Sequence, residues 1–225
     1  MSHHFTYLSP VERQQVIQHF QTADEPIDER ILASLERVLG HAFADYRELS
    51  LIRIDLRFAQ AELQPDMPVC FQHTDPQVIT RFIASLKSQL SEQARRKQSQ
   101  GIRTYPCRLR FLWVLEQHES VLPHYHLILV LNKDAHAFLG KVDGNQSAGL
   151  IRLIQEAWCR ALGLSYDEHC SLANVSGKAL THLSREDVQA RSERYWDWLY
   201  RACYLAKLYT KFTGAARRTF GASQG

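Results

Sequence analysis

Residues 107–132 read CRLRFLWVLEQHESVLPHYHLILVLN, and the alternation inside this stretch decides the fold. In residues 107–116, Leu109, Phe111, Trp113 and Leu115 fall on one side, while Arg108, Arg110, Leu112, Val114 and Glu116 fall on the other. A period of two is the mark of a β-strand. Residues 124–132 form a second apolar strand, and the QHESVLP link between them is too short for a parallel crossover. The two strands therefore pair as an antiparallel hairpin.

Working outward, LSLIRIDLRF (49–58) alternates as well, with Ile52, Ile54, Leu56 and Phe58 opposite Leu51, Arg53, Asp55 and Arg57. It reads as another strand. Helical patterns run from Pro10 to about Phe20 and from Asp28 to about Leu39, with Asp24 and Pro26 as start signal and Gly40 as stop. Asp75-Pro76 opens a long amphipathic helix to about Gln98, closed by Gly101. A further helix spans about Ala148 to Leu162 and stops at Gly163. Residues 168–183 hold a strand or two. Residues 185 to about 212 read as one helix, and the tail GAARRTFGASQG reads as loop. The order predicts an α+β protein with a central antiparallel sheet and packed helices. Residues 1–44 are expected as an N-terminal helical extension and residues 45–225 as the sheet domain.

The 225-residue chain has no apolar run near the roughly 18 residues of a membrane span. Its start lacks the basic-then-apolar order of a secretory signal, so a cytoplasmic protein with no membrane partner is expected. The five cysteines form no C-x-x-C pair, which argues for reduced, structural thiols. Net charge is +3, compatible with nucleic-acid binding without demanding it. Basic residues gather at 95–97, at 103–110 and from Lys207 to Arg218.

On a strand, His124 and His126 project from one face with Cα atoms about 6.6 Å apart. Two imidazoles so placed can converge on one transition-metal or manganese-like ion. Tyr125 points the other way, toward the core. A carboxylate is wanted as third ligand, and the hairpin returns Glu116 close to His124. Glu119, His118 and Asp55 are weaker candidates. Among eleven histidines, an isolated H-x-H is more often incidental.

In YWDWLYRACYLAKLYTK, Tyr200, Tyr204 and Lys207 fall at helical spacing on one face, and Lys211 extends it. A phenol, with an ordinary pKa near 10, becomes a nucleophile when a metal polarises a phosphodiester and a cation steadies the phenolate. The same residues taken alone also fit a core-facing aromatic stripe.

The ordered pair PHYHLIL (123–129) and YRACYLAK (200–207) resembles the HUH endonuclease superfamily of rolling-circle replication initiators. More narrowly, RIDLRF, LPHYHLILVLNKDA, YLAKLYTK and RRTFGASQG are similar to the YagK/YfjJ domain family, which includes inovirus-type gene-two proteins of prophages and related elements. The resemblance covers roughly residues 45–223. It implies a DNA-nicking domain in which His124 and His126, with Glu116, bind Mn2+ or Mg2+, Tyr204 attacks, and Lys207 assists. A 5′-phosphotyrosine intermediate and a free 3′-hydroxyl are implied. Tyr200 stands at the two-tyrosine spacing, yet Cys203 replaces the lysine expected beside it, so second nucleophile and packing residue both stay open. Single-stranded DNA or an origin hairpin is the expected partner, contacted by Arg53, Arg57, Arg108, Arg110, Lys211, Arg217 and Arg218. No G-x-x-x-x-G-K-[ST] loop is present, so a separate host helicase and polymerase are implied. The rival readings are a mobile-element DNA-binding protein that does not cut and a small hydrolase using the histidines alone.

Overall fold

The hairpin forms as β2 (Arg110–Glu116) and β3 (His124–Asn132), paired antiparallel with Glu116 opposite His124 and Val114 opposite His126. The computed structural model describes residues 7–59, 71–117, 122–141, 147–175, 179–208 and 218–224. β1 (Glu48–Leu56) pairs antiparallel with the other side of β3, which puts Asp55 opposite His126. Two short strands, β4 (Ala173–Asn174) and β5 (Leu180–Ser184), line the outer edge of β1. The strands anticipated within residues 168–183 are these two.

Alternation gives the sheet two apolar faces, so both are covered. Ile52, Ile54, Leu56, Leu115, Tyr125, Leu127 and Leu129 pack against α3 (Val78–Ser99) and α4 (Leu150–Leu162). Trp158 of α4 is fully buried there, its indole N–H donating to the Arg57 carbonyl at 2.7 Å. Truncating such a residue costs about 3–5 kcal/mol. Leu49, Leu51, Leu112, Val114, Ile128 and Val130 pack on the opposite side against α1 (Pro10–Thr22), α2 (Glu29–Asp45) and α7 (Glu193–Cys203). The first two helices thus share a core with the sheet, as one layer of a sandwich. The short α5 (Tyr166–His169) and α6 (Arg185–Gln189) complete the helices described.

Local chemistry accounts for several boundaries. Ser9 and Glu12 form a capping box at α1. α2 starts at Asp28, whose side chain accepts from the Arg30 N–H, whereas Asp24 takes a left-handed φ of 56° in the turn before it. Gly40 does not stop α2. It is buried within the helix, which runs on to Asp45 because Ala42 and Phe43 gain burial in the core. That burial outweighs the roughly 1 kcal/mol cost of a helical glycine.

The C-terminal region departs from the single helix expected. α6 ends before Arg191, at φ 51°, and Ser192 caps a separate α7. α7 ends at Cys203, and Tyr204–Ala206 forms one 3-10 turn. The reason is tertiary. Asp28 N–H donates to the Ala206 carbonyl and Leu208 N–H to that of Pro26, both at 2.8 Å, while Ile27 bridges Lys207. The chain leaves the helix because the α1–α2 link satisfies its backbone. Part of the tail is also not loop: Phe220–Ala222 forms β6, an edge strand antiparallel to β2. A Cβ on Gly221 would lie 2.6 Å from the Trp113 ring, so only glycine lets that indole lie over β6.

Candidate metal centre

The sheet face under α1, α2 and α7 carries, at one end of its three central strands, Asp55, Glu116, His124 and His126. Register alone gathers them. Glu116, His124 and His126 offer ligand atoms all within 4.8 Å of one another. The two Nε2 atoms are 3.0 Å apart, and the Glu116 Oε2 is 3.2 Å from His126 Nε2. Two nitrogens bound at a right angle to one ion at about 2.1 Å each lie about 3.0 Å apart. The donor set of two imidazoles and a carboxylate therefore fits a divalent transition-type cation.

Asp55 completes the arrangement from behind. It hydrogen-bonds His126 Nδ1, the contact that fixes a ligating imidazole's tautomer and aims Nε2 at a metal. Asp55, a candidate ligand by sequence, stands across the ladder from His126 and outside the Glu116, His124 and His126 cluster, a place suited to orienting the imidazole rather than to binding an ion. Burial, then the neighbouring His126, lowers the His124 pKa and so favours the neutral, ligand-competent ring. Burial works against a charged His126, yet the bonds to Asp55 and Glu116 outweigh it and raise its pKa. The Asp55 carboxyl is held below its ordinary range although burial opposes this, because His126 bonds it. His118 and Glu119 lie outside the described residues.

Tyr204 lies in the 3-10 turn tied to the start of α2. The direction of α2 locates that turn. At its end, Asp45 bonds Arg110 at the start of β2; at its beginning, Arg30 lies over Phe220, which pairs with Val114. The start of α2, and with it Tyr204, therefore sits toward the Glu116 end of β2. Neither imidazole bonds Tyr204, which is 48% exposed. The Lys207 ammonium lies 3.0 Å from the centre of the Tyr204 ring. It has no exposed surface and is ion-paired with Glu25. Burial would lower the Lys207 pKa, but Glu25 and Tyr204 raise it, keeping the ammonium charged. The lysine thus reaches the tyrosine by folding back, and Glu25 was not singled out from sequence. Tyr200 is packed on α1, its ring centre 4.5 Å from that of His19, and burial raises its pKa.

The expected DNA-contacting arginines divide. Arg53 lies on β1 and Arg57 directly follows its last residue, both beside the cluster, and Arg57 is exposed. Arg53 lines a cavity of about 300 Å³ with Asp55, Trp198 and Arg201 of α7; Arg201 was not foreseen. Arg108 is exposed at the opposite end. Arg110 is corrected: it is 3% exposed and paired with Asp45 at 2.6 Å, out of reach of a phosphate. It shares the alternation of Glu116, but α2 covers its half of the face. Arg218 is exposed, one residue before Thr219, whose carbonyl accepts from Leu115 N–H at 2.7 Å. Lys211 and Arg217 lie outside the described residues.

Cys107, Cys159 and Cys203 are free thiols. Burial pushes Cys107 and Cys159 up to about 11 and Cys203 to about 12, so they are structural rather than nucleophilic. Among the described residues, no helix is long and apolar enough to cross a membrane.

No solved structure gives a significant match to the chain. Two proteins of Escherichia coli (strain K12) do. The uncharacterized protein YagK is 33% identical over 194 residues, covering 85% of this chain and 91% of YagK. The uncharacterized protein YfjJ is 30% identical over 197 residues, covering 85% of this chain and 92% of YfjJ. The pattern of the YagK/YfjJ C-terminal domain matches residues 12–223, spanning the helices of both sheet faces, the donor cluster and β6. The chain belongs to the YagK/YfjJ C-terminal domain family.

Proposed function

We propose that the protein is a metal-dependent DNA nickase and strand-joining enzyme of the HUH endonuclease type, acting on single-stranded DNA or an origin hairpin of a phage, prophage or related mobile element. The observation that carries this reading is the convergence of Glu116, His124 and His126 with Asp55 behind His126. The turn that bears Tyr204 lies toward the same end of the sheet, which adds support. A divalent ion such as Mn2+ or Mg2+, held by Glu116, His124 and His126, supplies Lewis-acid polarisation of a phosphodiester.

The remaining work falls to the chain's own groups. The Tyr204 oxygen attacks the phosphorus and gives up its proton to water. The bond to the 3′-oxygen breaks, leaving a 5′-phosphotyrosine and, after protonation, a 3′-hydroxyl. Attack by a 3′-hydroxyl on that linkage reverses the step and joins strands. Lys207, fixed by Glu25 over the Tyr204 ring, steadies the developing phenolate. Arg53, Arg57 and Arg218 neutralise flanking phosphates. Unwinding and extension are left to a separate helicase and polymerase of the host.

The test is incubation with single-stranded or hairpin oligonucleotides and manganese, followed by mass spectrometry for tyrosine-linked DNA. Tyr204→Phe is expected to bind DNA and form no adduct. His124→Ala/His126→Ala is expected to do the same. An adduct that survives in Tyr204→Phe and vanishes in Tyr200→Phe reassigns the nucleophile, and no adduct with any DNA ends the proposal.

A further inference from the structure

At the end of the sheet away from the donor cluster, the last turns of α3, the 102–107 segment and the chain after β3 enclose a cleft of about 620 Å³. The nine-residue β3 separates the two places, about 26 Å over its eight Cα steps at roughly 3.3 Å each. Lys97, Arg103 and Tyr105 line one side of the cleft, and Asp134 and His136 line another.

Three features of this lining point to a ligand. Lys97 and Arg103 have no carboxylate partner among the described residues, unlike Arg95 and Arg96, which are held by Glu92. The Arg103 guanidinium lies 4.8 Å from the centre of the Tyr105 ring, a cation stacked on an aromatic platform. The cationic field is felt inside the cleft: burial, then Lys97, pushes His136 down to about 4, so this imidazole is neutral at pH 7. Asp134 is the acidic group on the lining, against Lys97 and Arg103. Spare cations beside a stackable platform in an open trough are the means by which proteins track a nucleic-acid backbone without reading sequence.

We propose that this cleft is a second DNA-contacting site, in which Lys97 and Arg103 neutralise phosphates of the DNA flanking the nicked segment. The choice of DNA rests on the nickase reading; the spare charge and the platform do not. The spacing corresponds to about eight base pairs at 3.4 Å each, so a grip here holds the arm of an origin hairpin or an equivalent length of single strand while the donor cluster holds the reacting segment.

The experiment measures DNA affinity by fluorescence anisotropy with chelator present, so that no cutting occurs. Three probes are used: a short oligonucleotide of about six nucleotides, the same oligonucleotide extended as single strand, and the same extended as a hairpin stem. Wild type is compared with Lys97→Gln/Arg103→Gln, and unchanged circular-dichroism melting verifies the fold. The variant is expected to bind at least one extended probe about 10-fold more weakly, with a salt slope reduced by about 2, and the short probe with wild-type affinity. Which extended probe suffers identifies single strand or duplex as the flank. Wild-type affinity and slope for both extended probes, or equal weakening for the short one, overturns the proposal. Adduct formation through Tyr204 is read separately. A weakened variant without any adduct removes the nickase and keeps the cleft, and an adduct with unaffected extended probes does the reverse.

Discussion

Asp55 and His126 face each other across the β1–β3 ladder, and the carboxylate grips imidazole Nδ1 while Nε2 is left toward His124 and Glu116. If that bond aims a metal ligand, Asp55→Ala lowers manganese affinity about 10- to 100-fold without removing any ligand. Titration calorimetry reads this directly. Unchanged affinity would make Asp55 a merely structural partner.

Glu25 and Lys207 form the second pair on which the proposed chemistry leans. The ammonium has no exposed surface and Glu25 is 30% exposed, so removing the carboxylate takes the ion-pair partner from a buried charge. Glu25→Ala is expected to cost about 2 kcal/mol, below the range for a fully buried pair, measured from denaturant midpoints. It should also slow adduct formation, whereas Glu25→Asp restores part of both losses. Wild-type stability in Glu25→Ala would refute the pairing.

Arg110 offers a contrasting case. Its Nε and Nη1 are buried without hydrogen-bond partners, and only Nη2 meets Asp45. Arg110→Met should therefore leave stability within about 1 kcal/mol of wild type, or raise it, because an apolar side chain replaces an imperfectly paired ion. DNA affinity and its salt slope should not move. A lower slope in this variant would return Arg110 to the DNA-contacting set.

Gly221 tests the tail strand. Its pro-Cβ position lies 2.6 Å from a ring atom of Trp113, so Gly221→Ala forces β6 and the indole apart, at about 1–3 kcal/mol. In a Trp113→Leu background the same substitution should cost much less, a coupling visible in a double-mutant cycle of thermal or denaturant stability. Additive effects would mean the two residues do not press on each other.

Glu12 and Arg191 tie α1 to the turn before α7, with Nε to Oε1 at 2.7 Å. The Arg191 hydrogen bond holds the Glu12 carboxyl down to about 2, from an ordinary 4.5, although burial opposes it. A carboxyl with a lower pKa when folded stabilises the fold above its unfolded value and loses that contribution as pH falls through the folded one. The pair should therefore contribute in full above about pH 4.5 and lose its contribution between there and about pH 2. Arg191→Gln should be less stable than wild type by about 1 kcal/mol at pH 7, and the gap should close toward pH 2. A gap constant across that window would contradict the assignment.

A strand's period of two is written in adjacent residues. The alternation of β1 and β2, the inward turn of Tyr125 and the shared face of His124 and His126 were therefore legible before any fold existed. The hairpin was short enough to bring Glu116 opposite His124 by register alone. What lay beyond reach depends on residues distant along the chain. Arg110 repeats the alternation of Glu116, and only the docking of α2 decides that one is sealed against Asp45 and the other meets the imidazoles. The helical pattern runs through Tyr204, yet the helix stops because Pro26 and Asp28 bond the backbone after it. Glu25 lies 182 residues from the lysine it fixes. Local periodicity sets which side of an element a residue faces, whereas burial and pairing follow from what the rest of the chain packs against that side.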